Sequence, residues 1–499
     1  MLRGRFLSLV HRSHRSSLNK PAWRSKQALC CRAPRRRIHT APSTSASTSD
    51  AQGTPASAEH TTVQFYEEPF ALDVHQGFGY AKINIGDRLG PNDRLEILHK
   101  LGWGMYATAW LVKDYEQNRY LAMKILTTYG THLERGEVKE HPHMHEADIM
   151  RAVSRQTSSP GAQHCIQLVD AFYITRETGN HLCLLTEVAG MSLDRLQVLI
   201  TTDGGFPTDL VKLFVKQICL ALNYLHTECR VVHTDIKCSN LLLSFQPEIR
   251  DEVVAAHLKY RPVRRHPVNT VCDIMEETIV SEALPLPGFD EVPPLSWIVK
   301  VADFGSAQWL DNRSTDHVQA VGLRAPEVLL GRAWDEKVDI WSLGCMAFEL
   351  LTGKNLFRAE ATRTWAEEED VLAAHLETHQ LTRFPPQFYE GSKHAEQYLN
   401  EDGTLRKIPE SMIYPKTLAR ILSVYKVPIN LDDPESVRDL AVSFIERCVT
   451  LDASERATAA ELLQHPWLQR VGEECDSRRL AKRIHFGRDT MTLPNEPAE

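Results

Sequence analysis

The chain has 499 residues, 42% of them apolar and 24% charged, an ordinary composition for a folded protein with room for two or three domain-sized units. Its eleven cysteines are odd in number and form no CxxC pair, which argues for reduced thiols and against a disulfide framework or a zinc ribbon. No run of about 18 apolar residues occurs, so no membrane-spanning helix is expected. The formal net charge of −8 conceals an asymmetry: Met1 to Ser49 hold eleven Lys or Arg and no acid, which leaves −19 on the remainder. A body this acidic repels nucleic acid, so no direct nucleic-acid binding is expected, and it attracts basic partners.

The segment 1–50 is Arg- and Ser-rich, with Leu2, Phe6, Leu9 and Val10 on one helical face and Arg3, Arg5 and Arg12 around it. This is the composition of a mitochondrial presequence, and Arg35-Arg36-Arg37-Ile38-His39-Thr40 would suit a processing site. A disordered basic tail or a nuclear signal is the alternative, and it would leave the protein in the cytoplasm or nucleus. Residues 51–62 read as a flexible linker and 63–92 as a lead-in to the folded body.

Between 93 and 188, strand-like runs fall at Leu95–Leu101, Ala107–Val112, Tyr120–Leu126, His164–Leu168 and His181–Glu187, and one clear helix at Met144–Val153 interrupts them. From 189 to 470 the pattern changes to long amphipathic helices, at Leu210–His226, Asp339–Leu351 and Ser436–Cys448. Within this half, 246–295 is rich in Pro and charge with only a helical piece near Asp251–Lys259, and reads as an insertion, either regulatory or, the plainer reading, merely solvated. Residues 471–499 form a C-terminal tail. The fold class is α+β in two lobes, a small antiparallel-sheet lobe with one main helix and a larger helical lobe.

The densest chemistry lies in His233-Thr234-Asp235-Ile236-Lys237-Cys238-Ser239-Asn240, followed by Asp303-Phe304-Gly305 and Ala325-Pro326-Glu327. Phosphoryl transfer needs a carboxylate to orient a hydroxyl, a cation near the moving phosphate, and oxygen ligands for magnesium. Asp235, Lys237 and the pair Asn240 and Asp303 supply these in order. A buried polar turn is the plainer explanation of either motif alone; two linked motifs at fixed offsets make it the weaker one.

Gly102-Trp103-Gly104-Met105-Tyr106-Ala107 sits between two predicted strands, where glycine lets backbone close over phosphates. Many strand turns carry two glycines for steric reasons, so this motif gains force only from Lys124, two strands on, whose cation can reach the α and β phosphates. Leu101 through Ala107, with Thr108, Ala109, Ala122 and the hinge Glu187 to Ala189, complete the candidate ATP site, and Thr186 would gate the pocket behind it. Lys124 needs a carboxylate partner, for which Glu146 is chosen over Glu137 and Glu140 because Ile149, Met150 and Val153 give its helix a packing face. Glu327 and Arg456 are placed to form a buried ion pair, Asp339 to cap donors beneath the catalytic loop, and His226 and His465 to pack rather than bind metal.

The ordered motifs resemble those of protein kinases. Thr234 inside the catalytic loop, Leu101-Gly102-Trp103-Gly104, Gly79-Tyr80 with Ile85-Gly86-Asp87, Met346-Ala347-Phe348-Glu349-Leu350, Asn400-Glu401-Asp402-Gly403-Thr404-Leu405 and Glu455-Arg456-Ala457-Thr458 through His465-Pro466-Trp467-Leu468 resemble the SR-protein kinases, near the LAMMER kinases and most of all fungal SR-protein-kinase-like sequences. The resemblance spans roughly Val63 to Leu468 and accounts for the insertion as the family's spacer. It implies a serine/threonine protein kinase using ATP and Mg2+ and acting on proteins with Arg/Ser-rich segments; a monomer is expected. Lys237 favours serine or threonine as acceptor on the same ground. The run Glu367-Glu368-Glu369-Asp370 lies where the family docks basic peptide, although a charge run is also an ordinary helix start.

Departures from the kinase pattern are Ala107 in place of the third glycine, Ala109 beneath the adenine, Ala320 for a threonine and Cys238-Ser239 in the catalytic loop; none removes a catalytic group. Thr234 stands where many kinases have an arginine that clamps a loop phosphate, so activity without loop phosphorylation is expected. A scaffold that binds partners without catalysis is the main alternative, and the retained Lys124, Asp235, Asn240 and Asp303 argue against it. A small-molecule phosphotransferase has no reason to carry Ala325-Pro326-Glu327.

Overall fold

The computed structural model describes residues 67–201, 204–244, 247–266, 277–284, 297–425 and 434–469; the segments 1–50, 51–62 and 471–499 lie outside them. Six antiparallel strands build the small lobe: β1 Arg88–Leu89, β2 Leu95–Gly104, β3 Ala107–Asp114, β4 Arg119–Leu126, β5 Leu168–Arg176 and β6 Gly179–Thr186, in the order β1-β2-β3-β4-β6-β5. Alternation along β2 to β4 sends Ile97, Trp110 and Met123 to one face, where they pack with Leu95, Val112 and Leu185. The opposite face takes α2, Glu146–Val153, through Ile149, Met150 and Val153.

Two features depart from the sequence reading. A second helix, α1 at Thr128–Glu134, precedes α2 and is capped by the Thr127 hydroxyl, which accepts from the Gly130 amide at 2.9 Å. Its residues, Thr-Tyr-Gly-Thr, have poor helix propensity, so tertiary packing decides. The strand expected at His164–Leu168 does not form. Residues 162–164 make a 3-10 turn, Ile166 N donates to Val301 O at 2.9 Å in the large lobe, and strand β5 starts at Leu168.

The large lobe is helical: α3 Leu193–Ile200, α4 Thr208–Tyr224, α5 Pro247–Tyr260, α6 Pro326–Leu329, α7 Lys337–Thr352, α8 Glu367–Thr378, α9 Ala395–Tyr398, α10 Leu418–Val424, α11 Pro434–Cys448, α12 Ala459–Leu463 and α13 Pro466–Gln469. Helices α4, α7 and α11 meet in its core through Phe214, Ile218, Leu343, Phe348 and Phe444. Short antiparallel pairs carry the site loops, β7 Val231–Val232 with β12 Gln308–Trp309, and β8 Leu241–Ser244 with β11 Ile298–Val301. Among the described residues no helix is long and apolar enough to cross a membrane.

The insertion, expected to be solvated, is docked where it is described. Val254 of α5 and Leu284 pack on Leu111 of the sheet and Val188 at the hinge. Its strands β9 Arg265–His266 and β10 Thr278–Ile279 pair with each other, and Ile279 joins the sheet core. Lys100, fully buried, donates to Glu67 at 2.7 Å, to Glu68, and to the Ile279 carbonyl at 3.1 Å. Ser281 also donates to Glu67, from both its amide and its hydroxyl, each at 2.6 Å. One buried cation therefore joins the lead-in, the insertion and the strand that precedes Gly102. No local signal in the sequence marks Lys100 as buried.

Arg456 grips Glu327 with two nitrogens, at 2.7 and 3.0 Å, and both side chains are buried. The same guanidinium donates to the carbonyls of Lys337 and Thr450, at 2.9 and 3.0 Å, tying α6, α7 and the loop before α12 together. Arg456→Met leaves the Glu327 carboxylate buried without its cation, and a loss of about 3–5 kcal/mol in chemical unfolding is expected. A loss within about 1 kcal/mol, the value of an exposed pair, would contradict this account.

Candidate active site

The cleft between the lobes collects the polar residues singled out above. Lys124 projects from β4 and its ammonium donates to Glu146 Oε1 at 2.6 Å and to Asp303 Oδ1 at 2.9 Å. Glu137 and Glu140 lie on the loop before α2 and do not reach it; Glu137 contacts Arg135 at 3.0 Å instead. Burial alone would lower the Lys124 pKa, but the Asp303 and Glu146 carboxylates overcome it and hold the ammonium above its ordinary value. Lys124 in turn keeps Asp303 well below the usual carboxylate range, whereas burial raises Glu146. Asp303 stays half exposed to the cleft, with an oxygen free for another cation.

Asp303 has φ 64° and ψ 73°, and Thr234 has φ 63°, the left-handed region that costs a non-glycine residue energy, the more so a β-branched one. Hydrogen bonds at Thr234, and at Ala302 and Ser306 on either side of Asp303, hold the two turns. Asp339, fully buried in the first turn of α7, accepts from the His233 amide at 2.8 Å, the Thr234 amide at 2.7 Å and His226 Nε2 at 2.9 Å. The Thr234 hydroxyl donates to the Ser306 carbonyl at 2.7 Å, and the His233 ring lies against Phe304, with Nε2 3.1 Å from the Ala302 carbonyl. The loop bearing Asp235 and the turn bearing Asp303 are thereby locked to each other.

On this loop Lys237 Nζ donates to Asp235 Oδ2 at 2.5 Å, and Asn240 Nδ2 donates to the same oxygen and to the Asp235 carbonyl, each at 2.9 Å. The Asn240 carbonyl accepts from the Ala302 amide at 2.9 Å, which sets Asn240 beside the turn of Asp303. With Asn240 Nδ2 turned to Asp235, its amide oxygen is left for a metal. An amide oxygen and a carboxylate are hard donors that suit Mg2+, which takes one or two protein groups and fills its shell with phosphate oxygens and water. The residues present fit that ion. Among the described residues no group of three or more His, Cys, Asp or Glu is placed to hold a metal. His465 lies 3.3 Å from the Ser443 hydroxyl and packs on Phe444.

Leu101 to Ala109 form the end of β2, its turn and the start of β3, with a register shift between Lys100 and Gly102 that bends the strand. A side chain at Gly102 would project into open space rather than protein. Tyr80 hydroxyl donates to the carbonyls of Gly104 and Met105, at 2.7 and 3.0 Å, and holds the turn from behind. Ala109 pairs with Lys124, and Ala122 with Thr186, across the sheet. At the hinge the Glu187 carboxylate turns to Lys300, at 2.8 Å, and to the Gln167 amide, at 3.0 Å. Glu187 therefore offers the cleft its backbone, and the Thr186 hydroxyl already donates to that carbonyl at 3.1 Å. Sequence reasoning missed Lys300 and Gln167, which are remote in the chain and carry no motif.

The acidic run at the start of α8 is largely spent within the fold. Glu369 is buried, accepts from the Ala366 amide at 2.7 Å and pairs with Lys407 at 3.0 Å; Asp370 is buried and accepts from the Glu360 amide at 3.3 Å. Of the four acids only Glu367 and Glu368 are partly exposed, and Glu368 stands 3.9 Å from Arg324.

The family model for the protein kinase domain matches residues 95–270 and 289–468. The serine/threonine-protein kinase SRPK of Physarum polycephalum is 31% identical over 442 residues, covering 82% of this chain and 93% of that protein. Protein kinase dsk1 of Schizosaccharomyces pombe is 27% identical, covering 82% and 86%, and SRSF protein kinase 3 of Mus musculus is 25% identical, covering 78% and 88%. Lobes, loops and cleft agree with these matches: the chain is a serine/threonine protein kinase and belongs to the SR-protein kinase family.

Proposed function

We propose that the chain transfers the γ-phosphate of ATP to Ser or Thr in Arg/Ser-rich basic segments of proteins, acting as a monomer without direct nucleic-acid binding. The observation that carries the catalytic half is two contact groups, Lys124 with Glu146 and Asp303, and Asp235 with Lys237 and Asn240, set side by side by the Ala302–Asn240 backbone bond. Asp235 accepts the hydrogen bond of the substrate hydroxyl and aligns it, and Lys237, now on Asp235, is in reach of the transferring phosphate. Lys124, kept charged by its two carboxylates, binds the α and β phosphates while the Gly102 to Ala107 turn closes over them. Asn240 and Asp303 would hold Mg2+. When bound, Mg2+ supplies positive charge that offsets the charge on the phosphates. The hinge backbone from Glu187 to Ala189 receives the adenine.

Support for the substrate class is the family itself and the net −19 borne by the chain outside Met1 to Ser49. The docking role of the α8 start narrows to Glu367 and Glu368, since Glu369 and Asp370 face inward. Full-length protein with labelled ATP is expected to phosphorylate an Arg/Ser-repeat peptide and not a Lys-free acidic peptide, and Asp235→Asn to lower the rate by roughly 100-fold or more. Tight ATP binding with no transfer to either peptide would instead favour the scaffold.

Thr234 leaves the segment from Asp303 to Glu327 without the arginine clamp for a loop phosphate, and side-chain contacts tie the segment down instead. Ser314 donates to Gln308 Oε1 at 2.9 Å and lies 3.0 Å from the His143 carbonyl it bonds across the lobes, and Arg230 pairs with Asp311 at 2.6 Å. Phosphatase-treated protein is therefore expected to keep its activity; loss of activity on treatment would refute this. We further propose that the basic segment 1–50 addresses the protein to mitochondria, with cytoplasm or nucleus as the alternative. Met1 to Thr40 fused to a fluorescent protein is expected to give a mitochondrial signal, and a diffuse or nuclear one would reject that address.

A further inference from the structure

Helix α2 begins without a cap of its own. His145 occupies the N-cap position and its side chain makes no capping hydrogen bond, so the first amides need an acceptor from elsewhere. Glu134, the last residue of α1, supplies it. Its Oε2 accepts from the Glu146 amide at 2.9 Å and its Oε1 from the Ala147 amide at 2.8 Å, a two-pronged grip from twelve and thirteen residues back in the chain. The intervening loop closes around this contact: Met144 N donates to Leu133 O at 3.2 Å, and His143 Nε2 lies 2.9 Å from the Glu134 carbonyl.

The gripped residue is Glu146, the same residue whose carboxylate contacts Lys124 at 2.6 Å. Its backbone is fixed by Glu134 and its side chain by the catalytic lysine. An eight-residue helix has little stability of its own, so its placement depends on such anchors. A carboxylate at a helix start is also favoured by the helix dipole. Burial pushes the Glu134 carboxyl up to about 7 against the opposing pull of the Ala147 and Glu146 amides, so the grip is kept at a cost in solvation.

We infer that Glu134 is a positioning residue for phosphoryl transfer: by holding the Glu146 and Ala147 amides it sets the placement of α2 and through it the Lys124–Glu146 contact. This rests on the roles proposed above for Lys124 and Glu146. Two partners of one residue are thus linked across the lobe, α1 on one side and β4 on the other.

The test compares full-length protein with Glu134→Ala, Glu134→Gln and Glu146→Gln, using ATP and the Arg/Ser-repeat peptide in steady-state kinetics, with thermal melting alongside. Glu134→Ala is expected to lower kcat roughly 5- to 30-fold, the population shift that loss of a cap produces, with KM for the peptide unchanged. Glu134→Gln, which retains one acceptor oxygen for one amide, is expected to recover part of that loss and to melt like the parent. If Glu146→Gln is impaired while both Glu134 variants stay within about twofold of the parent, the inference is overturned and the Lys124–Glu146 reading survives. If Glu146→Gln is itself unimpaired, that reading fails and takes this inference with it. Should Glu134→Ala not fold, Glu134→Gln decides: a fall in kcat beyond about threefold at unchanged melting temperature supports the inference, and a smaller one overturns it.

Discussion

Much of this kinase hangs on one buried carboxylate. Asp339 has no solvent contact, and a charge in that position is tolerable only if hydrogen bonds replace its water. It has three: two backbone amides of the catalytic loop and the His226 ring. The helix that presents it, α7, runs through the middle of the large-lobe core, with nearly every residue from Val338 to Thr352 buried. A helix buried along most of its length thus reaches directly into the loop that carries Asp235. The left-handed turn at Thr234, costly for a β-branched residue, is held by the same carboxylate and by the Ser306 carbonyl.

The small lobe solves a different problem, that of holding a partly exposed cation against one buried carboxylate and one open to the cleft. Lys124 lies between two carboxylates that arrive from different elements, Glu146 on α2 and Asp303 on the turn after β11. Only when the sheet, α2 and that turn are all in position do the three meet. The sheet end of this arrangement is stiffened from behind by Lys100, whose three acceptors come from the lead-in and the insertion. A segment that could have been mere decoration is in this way built into the small lobe, with α5 resting against the hinge at Val188.

The short, motif-bearing stretches were readable in the sequence because their chemistry is local. His233 to Asn240 and Asp303 to Gly305 hold their functional groups at fixed offsets, and the structure brings them together in that order. Strands β2 to β4 were readable too, since alternation of apolar and polar residues is enforced by the pleat. Where the reading failed, a distant partner outweighed local preference. The stretch from His164 to Leu168 has the residues of a strand, but its backbone is claimed by Val301. Helix α1 has the residues of a strand or turn and is helical because of its cap and its packing on β6. The acidic run of α8 has the look of a docking surface, yet half of it faces inward to the Ala366 and Glu360 amides and to Lys407.

The sequence by itself determined the class of chemistry and the family, because catalytic groups within one loop are spaced by the chain and need no folding to be recognised. It also determined that Glu146 rather than its neighbours faces Lys124, because helical periodicity assigns faces. Only the tertiary structure decided which charges are partners at long range: Lys100 with Glu67 and Glu68, Lys300 with Glu187, Glu134 with the start of α2. Each of these pairs joins segments between twelve and more than a hundred residues apart. Electrostatic partnership depends on distance in space and on burial, and neither is written in the spacing of residues along the chain.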